Sequence, residues 1–407
     1  MVSFTNKWLR IAFLNLLMVS VLGVTLRYKI AFSLPFVDQK NLLHGHSHFA
    51  FSGWITQALM YLLIRQLKHD EQYIILKKYK WILFSNLITA LGMLVSFPIQ
   101  GYGLFAILFS TLSIFVSYWF AIVYNKDLKQ QTEKLPSHKW FKAAVFFNAL
   151  SSIGAFTLAY IMVKKIMIQK LSLLSVYFFL HFQYNGWFFF ACMGLLLSVT
   201  ESYIKDKRLL NNVFLSFFIA CFPAYFLSAL WLSLPAIIFI VVIASALTQI
   251  IAWGFIVYCI WIYRTSFSQI NLFSKNLFKL SAVALTLKLL LQLISTIPSL
   301  SQLAFGFRPI VIGYLHLVLL GVITISIICY VTAIEIKGIN KVFKTGIIIF
   351  ITGIIINEVL LMLQGISDIA YISLPFINEL LLIAALILFS GLLILNVGLI
   401  PKKYLQR

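Results

Sequence analysis

Charged side chains are scarce in this chain: Asp, Glu, Lys and Arg make up 11% of 407 residues, and only 11 residues are acidic. Soluble domains carry nearer a quarter, so the shortage excludes an ordinary soluble fold. The chain is 62% hydrophobic, with a mean hydropathy of +0.99. No polar stretch is long enough for a large soluble domain. The four cysteines (Cys192, Cys221, Cys259, Cys329) fall within apolar runs at no metal-ligand spacing, which excludes a disulfide framework and a zinc site and leaves packing as their role. Short segments of alternating polarity are absent, which excludes a β-barrel. A small-residue cleavage site is also missing after the first apolar run, so that run, preceded by Lys7 and Arg10, is expected to be a retained helix.

What is abundant is apolar sequence of membrane-spanning length. Twelve such segments lie near 9–31, 44–66, 80–98, 102–124, 141–163, 171–199, 210–231, 234–262, 278–298, 309–332, 345–365 and 376–398, which predicts an all-α membrane protein with a lipid bilayer as its main partner. The net charge of +21 then reports orientation rather than nucleic-acid binding. With the N-terminus inside, 24 of the 32 basic residues fall on the cytoplasmic side, among them Lys68, Lys205, Lys207, Arg208, Lys279, Lys337, Lys402, Lys403 and Arg407. Seven lie outside (Arg27, Lys29, Lys40, Lys164, Lys165, Lys170, Arg308), and Lys288 stands alone within a span. Both termini are expected in the cytoplasm.

Three histidines share a motif. His48, His181 and His316 are each followed five residues later by glycine: Gly53, Gly186 and Gly321. The intervals are 133 and 135 residues. With 7 His and 19 Gly in the chain, chance predicts such a pairing about 0.3 times. The spacing implies three diverged four-helix units, about 1–135, 136–270 and 271–407, with the histidines on helices two, six and ten. Because four is even, the units share one orientation and form a pseudo-threefold plan. The histidines then share the outer half of the bilayer. In an α-helix the glycine lies about 140° around from its histidine, a face for close approach of a neighbour.

Intramembrane histidine is costly to insert and marks metal or haem binding or proton handling. Around the first copy, His44, His46 and His48 alternate. His44 and His48 share a helical face and His46 points nearly opposite. If the helix reaches back to 44, His44 and His48 can serve one site; if it starts later, His44 and His46 line a polar mouth. His181 sits among Gln183, Tyr184 and Asn185, which either fix its tautomer at a metal or quinone site or glue the bundle by hydrogen bonds. Arg308, eight residues before His316 and about 12 Å nearer the outer surface at roughly 1.5 Å per residue, is placed either to meet an anionic group such as a haem propionate or to snorkel. His69 and His138 are expected in cytoplasmic loops without a specific role. Lys288 and Glu358, buried ionisable groups, are candidates for a proton route or an ion pair.

These features resemble subunit I of the haem-copper oxidase superfamily and the related NnrS family of haem- and copper-containing membrane proteins. The likeness spans the whole chain in topology but only the short histidine motifs in sequence. It implies an oxidase-like fold in a bacterial inner membrane, an electron-transfer or nitric-oxide-related role, and a quinone or other electron donor as partner. Helices two and ten would supply the axial imidazoles of a haem, here His48 (or His44 or His46) and His316. The family's second metal centre is matched less fully. Tyr314 occupies the first position of the helix-ten His-x-His pair, Tyr184 falls one residue early for the helix-six His-x-x-x-Tyr copper motif, and the seventh span has no histidine. The resemblance therefore implies a reduced second site at His181, holding one copper or a quinone, with Tyr184 and Tyr314 along a proton route. Two other readings stand beside it: a proton-coupled transporter, which the scarcity of Gly/Pro-interrupted spans disfavours, and a non-catalytic assembly or sensory subunit.

Overall fold

The computed structural model describes residues 7–67, 72–232, 234–334 and 340–400, with the side chains of 72–74, 268 and 302–305 left aside. Expectations at His69, Lys68, Lys337, Lys402, Lys403 and Arg407 lie outside the described residues. The described chain is helical, with no strand among the described residues. Ten of its helices are long and apolar enough to cross a membrane, and an eleventh candidate is a pair bent by 43°. The protein is therefore a multi-pass all-α membrane protein.

The chain divides into two compact units, residues 1–120 with 331–407, and residues 121–330. In the first, α1 (Lys7–Ala31), α2 (Gln39–Phe49), a π-helical segment Ala50–Thr56, α3 (Gln57–Ile64), α4 (Gln72–Gln100) and most of α5 (Leu104–Lys129) precede the final hairpin, α15 (Lys341–Ile369) and α16 (Ile377–Gly398). The second unit holds α6 (Pro136–Val163), α7 (Gln169–His181), the π segment Phe182–Phe188, α8 (Phe189–Thr200), α9 (Lys207–Cys221), a 3₁₀ turn Pro223–Ala229 and α10 (Ala236–Ile262). It continues through α11 (Leu272–Ile294), α12 (Pro298–Gly306), α13 (Arg308–His316), the π segment Leu317–Thr324 and most of α14 (Ile325–Ile334).

Local sequence sets the ends of these helices. Asp38, Asp206, Asn271 and Asn340 each accept the backbone N–H three residues on, starting α2, α9, α11 and α15; such caps satisfy donors that the first helical turn leaves open. At the start of α6 the cap is distant in sequence: Glu201 accepts from the Ser137 backbone N–H (2.8 Å) and hydroxyl (2.9 Å), placing a carboxylate at a positive helix end.

In a bilayer, helices gain little from hiding apolar surface and associate by close packing. The α15–α16 hairpin shows this. Gly346 and Gly353 of α15 approach the backbone of Leu395 and Leu388, while Gly391 and Gly398 of α16 approach that of Phe350 and Phe343. A methyl group at any of the four would overlap the facing backbone. Phe13 of α1 completes this end of the unit, edge-on to Phe343 at 6.0 Å, its carbonyl accepting from the Asn396 amide.

Candidate functional site

Each motif histidine is followed within two residues by a π-helical turn: Ala50–Thr56 after His48, Phe182–Phe188 after His181, and Leu317–Thr324 after His316. A π turn bonds i to i+5 rather than i+4, is rare, and is frequent at functional sites. It also changes the expected place of the motif glycine. With one extra residue per turn, positions five apart stack, so the glycine lies closer to its histidine's side than the 140° of an α-helix. Close approach to a neighbour holds in two copies: a Cβ on Gly186 would lie 2.6 Å from Phe147 Cβ of α6, and one on Gly321 3.2 Å from Ala284 Cβ of α11. In the first copy a Cβ on Gly53 would meet its own helix's Phe49 ring.

A widened turn leaves backbone carbonyls poorly paired, and in a membrane such groups need a protein partner. Neighbouring side chains supply one in every copy. Asn86 donates to the Ser52 carbonyl (3.1 Å) and Asn15 to that of Gly53 (2.6 Å). The Cys221 thiol faces the Asn185 carbonyl (3.8 Å). Ser281 donates to the Val322 carbonyl (3.1 Å) and shares a 2.7 Å hydrogen bond with Ser326, while the Cys192 thiol faces Ile323 (3.9 Å). Asn15, Asn86 and Ser281 lie outside the histidine motifs. Their signal was present: each is a polar residue in an otherwise apolar span.

Because Asp38 starts α2 at Gln39, the helix does reach back past His44. His44 and His48 share one face, over Phe97 of α4 and Tyr102 of the following turn. The His48 ring stacks on Phe97 at 4.2 Å and 13°, and the Tyr102 ring stands edge-on to His44 at 4.7 Å. The Tyr102 hydroxyl is 3.4 Å from His48 Nε2, and His44 Nε2 is buried with no hydrogen-bond partner. Gly45 between them is required by packing, since a Cβ there would sit 2.8 Å from the Pro98 ring. His46 points to the opposite side, its Nδ1–H donating to the Val19 carbonyl of α1 at 3.1 Å.

His181 is buried and both its ring nitrogens are engaged. Nε2–H donates to the Cys221 carbonyl at 2.8 Å, and Nδ1 accepts from the Asn185 amide at 3.1 Å. The acceptor exists because Pro223 breaks the end of α9: Tyr225 N–H pairs with Phe222, leaving the Cys221 carbonyl to the imidazole. In this arrangement His181 offers no lone pair to a metal, because one nitrogen carries a proton and the other is already an acceptor. Of the two roles open from sequence, interhelical glue is the one this geometry supports. Gln183 extends the network, donating to Asn148 and Ser151 of α6 at 2.9 and 2.7 Å.

His316 Nδ1–H donates to the Ile312 carbonyl one turn back at 2.8 Å, which puts the lone pair on Nε2, the arrangement that orients imidazole ligands. Arg308 stands exposed at the start of α13. Tyr184 and Tyr314 come together, ring centroids 6.4 Å apart. Glu358 accepts from Asn357 at 3.2 Å. Lys288 is buried with its ammonium 5.8 Å over the Phe189 ring. His138 is not a loop residue: it belongs to the first turn of α6 and is buried near Phe141.

The four cysteines are buried, each as a thiol. Among the described residues no group of three or more His, Cys, Asp or Glu is placed to hold a metal ion. No protein-family model matches the chain, and no curated protein matches it.

Proposed function

We propose that the chain is a twelve-span, pseudo-threefold, haem-binding protein of a bacterial inner membrane, similar to haem-copper oxidase subunit I, with both termini cytoplasmic and a redox or nitric-oxide-related role. The observation that supports this reading most is the threefold coincidence of histidine and π turn. Three spans share a structural rarity at the position where each carries its imidazole, and a chain that keeps such turns does so for the site rather than for helix stability. The twelfth span is the run Gln39–Ile64, whose polar start around the histidines lowers its apolar character.

His48 and His316 are the proposed axial ligands. The Nδ1–H bond of His316 to its own helix supports ligation through Nε2. His44, with a buried nitrogen lacking a partner, is the alternative on α2. His46 is set aside because its Nδ1 is tied to α1. A haem bound there would supply one-electron chemistry, while the protein sets its ligation and access. A copper at His181 does not fit the hydrogen bonds found there, so no oxygen-reducing centre is proposed and the partner is an electron donor alone.

The test is an optical spectrum and iron analysis of protein purified after expression with ample haem. A Soret band that is lost in His48→Ala and in His316→Ala, and kept in His46→Ala and His181→Ala, is the expected pattern. Absence of both Soret band and iron overturns it. A proton-coupled transporter is the second reading, favoured by the buried ammonium of Lys288. Proteoliposome uptake that is abolished in Lys288→Met, with no haem bound, would select it.

A further inference from the structure

Within the second unit, α8, α9, α10, α11 and the turn 317–324 with α14 line a narrow apolar cleft. Its walls are largely carbon, with Trp140, Phe189, Met193, Trp253, Phe278 and Leu285 the bulkiest contributors. The few hydroxyls that line it are already used. Thr200 donates to the Leu196 carbonyl, and Ser281 and Ser326 bond each other and the Val322 carbonyl. A ligand carbonyl buried here would go unpaired, at a cost of about 1–3 kcal/mol. That disfavours a quinone ring and favours an unadorned hydrocarbon chain.

One end of the cleft states what such a chain is attached to. Ile204 and Leu210 line it, and between these two residues stand Lys205, Lys207 and Arg208, all exposed. Exposed Lys279 adjoins the lining residue Phe278. The one carboxylate in this turn, Asp206, is occupied in capping α9, accepting from Leu209 N–H at 2.9 Å. A hydrocarbon chain leaving the cleft here emerges among cations, and a phosphate is the head group that a lysine–arginine cluster holds.

We propose that this cleft binds one anionic phospholipid, an acyl chain lying between α8 and α11 and the phosphate meeting Lys205, Lys207 and Arg208. The proposal needs the chain to be a membrane protein and does not depend on haem.

The experiment measures binding of phosphatidylglycerol and of phosphatidylcholine to delipidated protein in mild detergent by native mass spectrometry. The unmodified protein is expected to hold one phosphatidylglycerol at least about tenfold more tightly than phosphatidylcholine, from roughly 1 kcal/mol per basic residue. Raising the salt to about 0.5 M should remove most of that preference. Changing Lys205, Lys207 and Arg208 together to Gln should abolish the preference and spare phosphatidylcholine binding. Ala282→Phe, which fills the cleft, should weaken both lipids. Equal affinity for the two lipids in the unmodified protein, a salt-independent preference, or unaltered binding in Ala282→Phe would each overturn the proposal. So would recovery of a quinone, identified by its ultraviolet spectrum, as the molecule retained through purification. The lipid comparison and the salt series use the unmodified chain, so they decide the matter even where a variant fails to fold.

Discussion

Replacing His181 by Leu keeps roughly the same volume in the bundle while stranding two buried groups, the Cys221 carbonyl and the Asn185 amide. At about 1–3 kcal/mol for each unsatisfied group, the expected loss of stability is about 2–6 kcal/mol. Asn185→Leu removes the same amide bond but also removes an Oδ1 that is buried with no partner, so the two effects oppose. The net change should lie within about 1 kcal/mol of zero. In the double variant the amide no longer exists to be stranded. Its cost should fall short of the sum of the singles by about 0.6–1.7 kcal/mol, the range measured for hydrogen bonds within a membrane bundle. Reversible unfolding in mixed micelles with increasing dodecyl sulfate, followed by tryptophan fluorescence, reads all four corners of the cycle. Additivity within about 0.3–0.5 kcal/mol would refute the His181–Asn185 hydrogen bond.

Four further expectations follow from particular contacts. Gly391→Ala should destabilise the α15–α16 hairpin by about 1–3 kcal/mol because its methyl meets the Phe350 backbone, whereas Gly254→Ala, with nothing within 4 Å, should be neutral or stabilising; equal unfolding midpoints for the two would contradict the close packing. Glu201→Gln weakens the anchor on the Ser137 N–H and hydroxyl, and a charge-assisted bond of this kind is worth about 1.5–3 kcal/mol; an unchanged melting temperature would exclude it. Lys288→Met removes a buried ammonium for which no hydrogen bond is found among the described residues, so stability should rise by about 1–4 kcal/mol, and a fall would reveal an anionic partner. Tyr102→Phe should leave the folded state nearly unperturbed but shift any spectrum that reports on His48, whose Nε2 the hydroxyl approaches; an unaltered spectrum in a haem-loaded sample would place the ligand elsewhere on α2.

The helical membrane fold was legible from composition because apolar length and helix length are two readings of one quantity, the bilayer thickness. Pattern also carried the His44–His48 face and the opposite orientation of His46. What it left open was where α2 begins, and a single residue, Asp38, decided that. The role of His181 was not legible because its partner is a backbone carbonyl, and every residue has one. Only the break at Pro223 made that of Cys221 available, and bends between helices are set by tertiary packing. His138 was misplaced for a related reason: lysines around it read as a loop, but Pro136 sits in the first turn of a helix, where proline is welcome. The π turns had no sequence template at all. Their trace lies in the interval from histidine to glycine, which in an α-helix would separate the two faces.

The extra residue in each π turn also bears on descent. Deleting one residue there would return i→i+5 pairing to i→i+4 and rotate everything beyond it by one position, so each turn is the mark of a single-residue insertion. The three turns begin two residues after His48 and one residue after His181 and His316, so in every copy the added residue displaces whatever follows the imidazole.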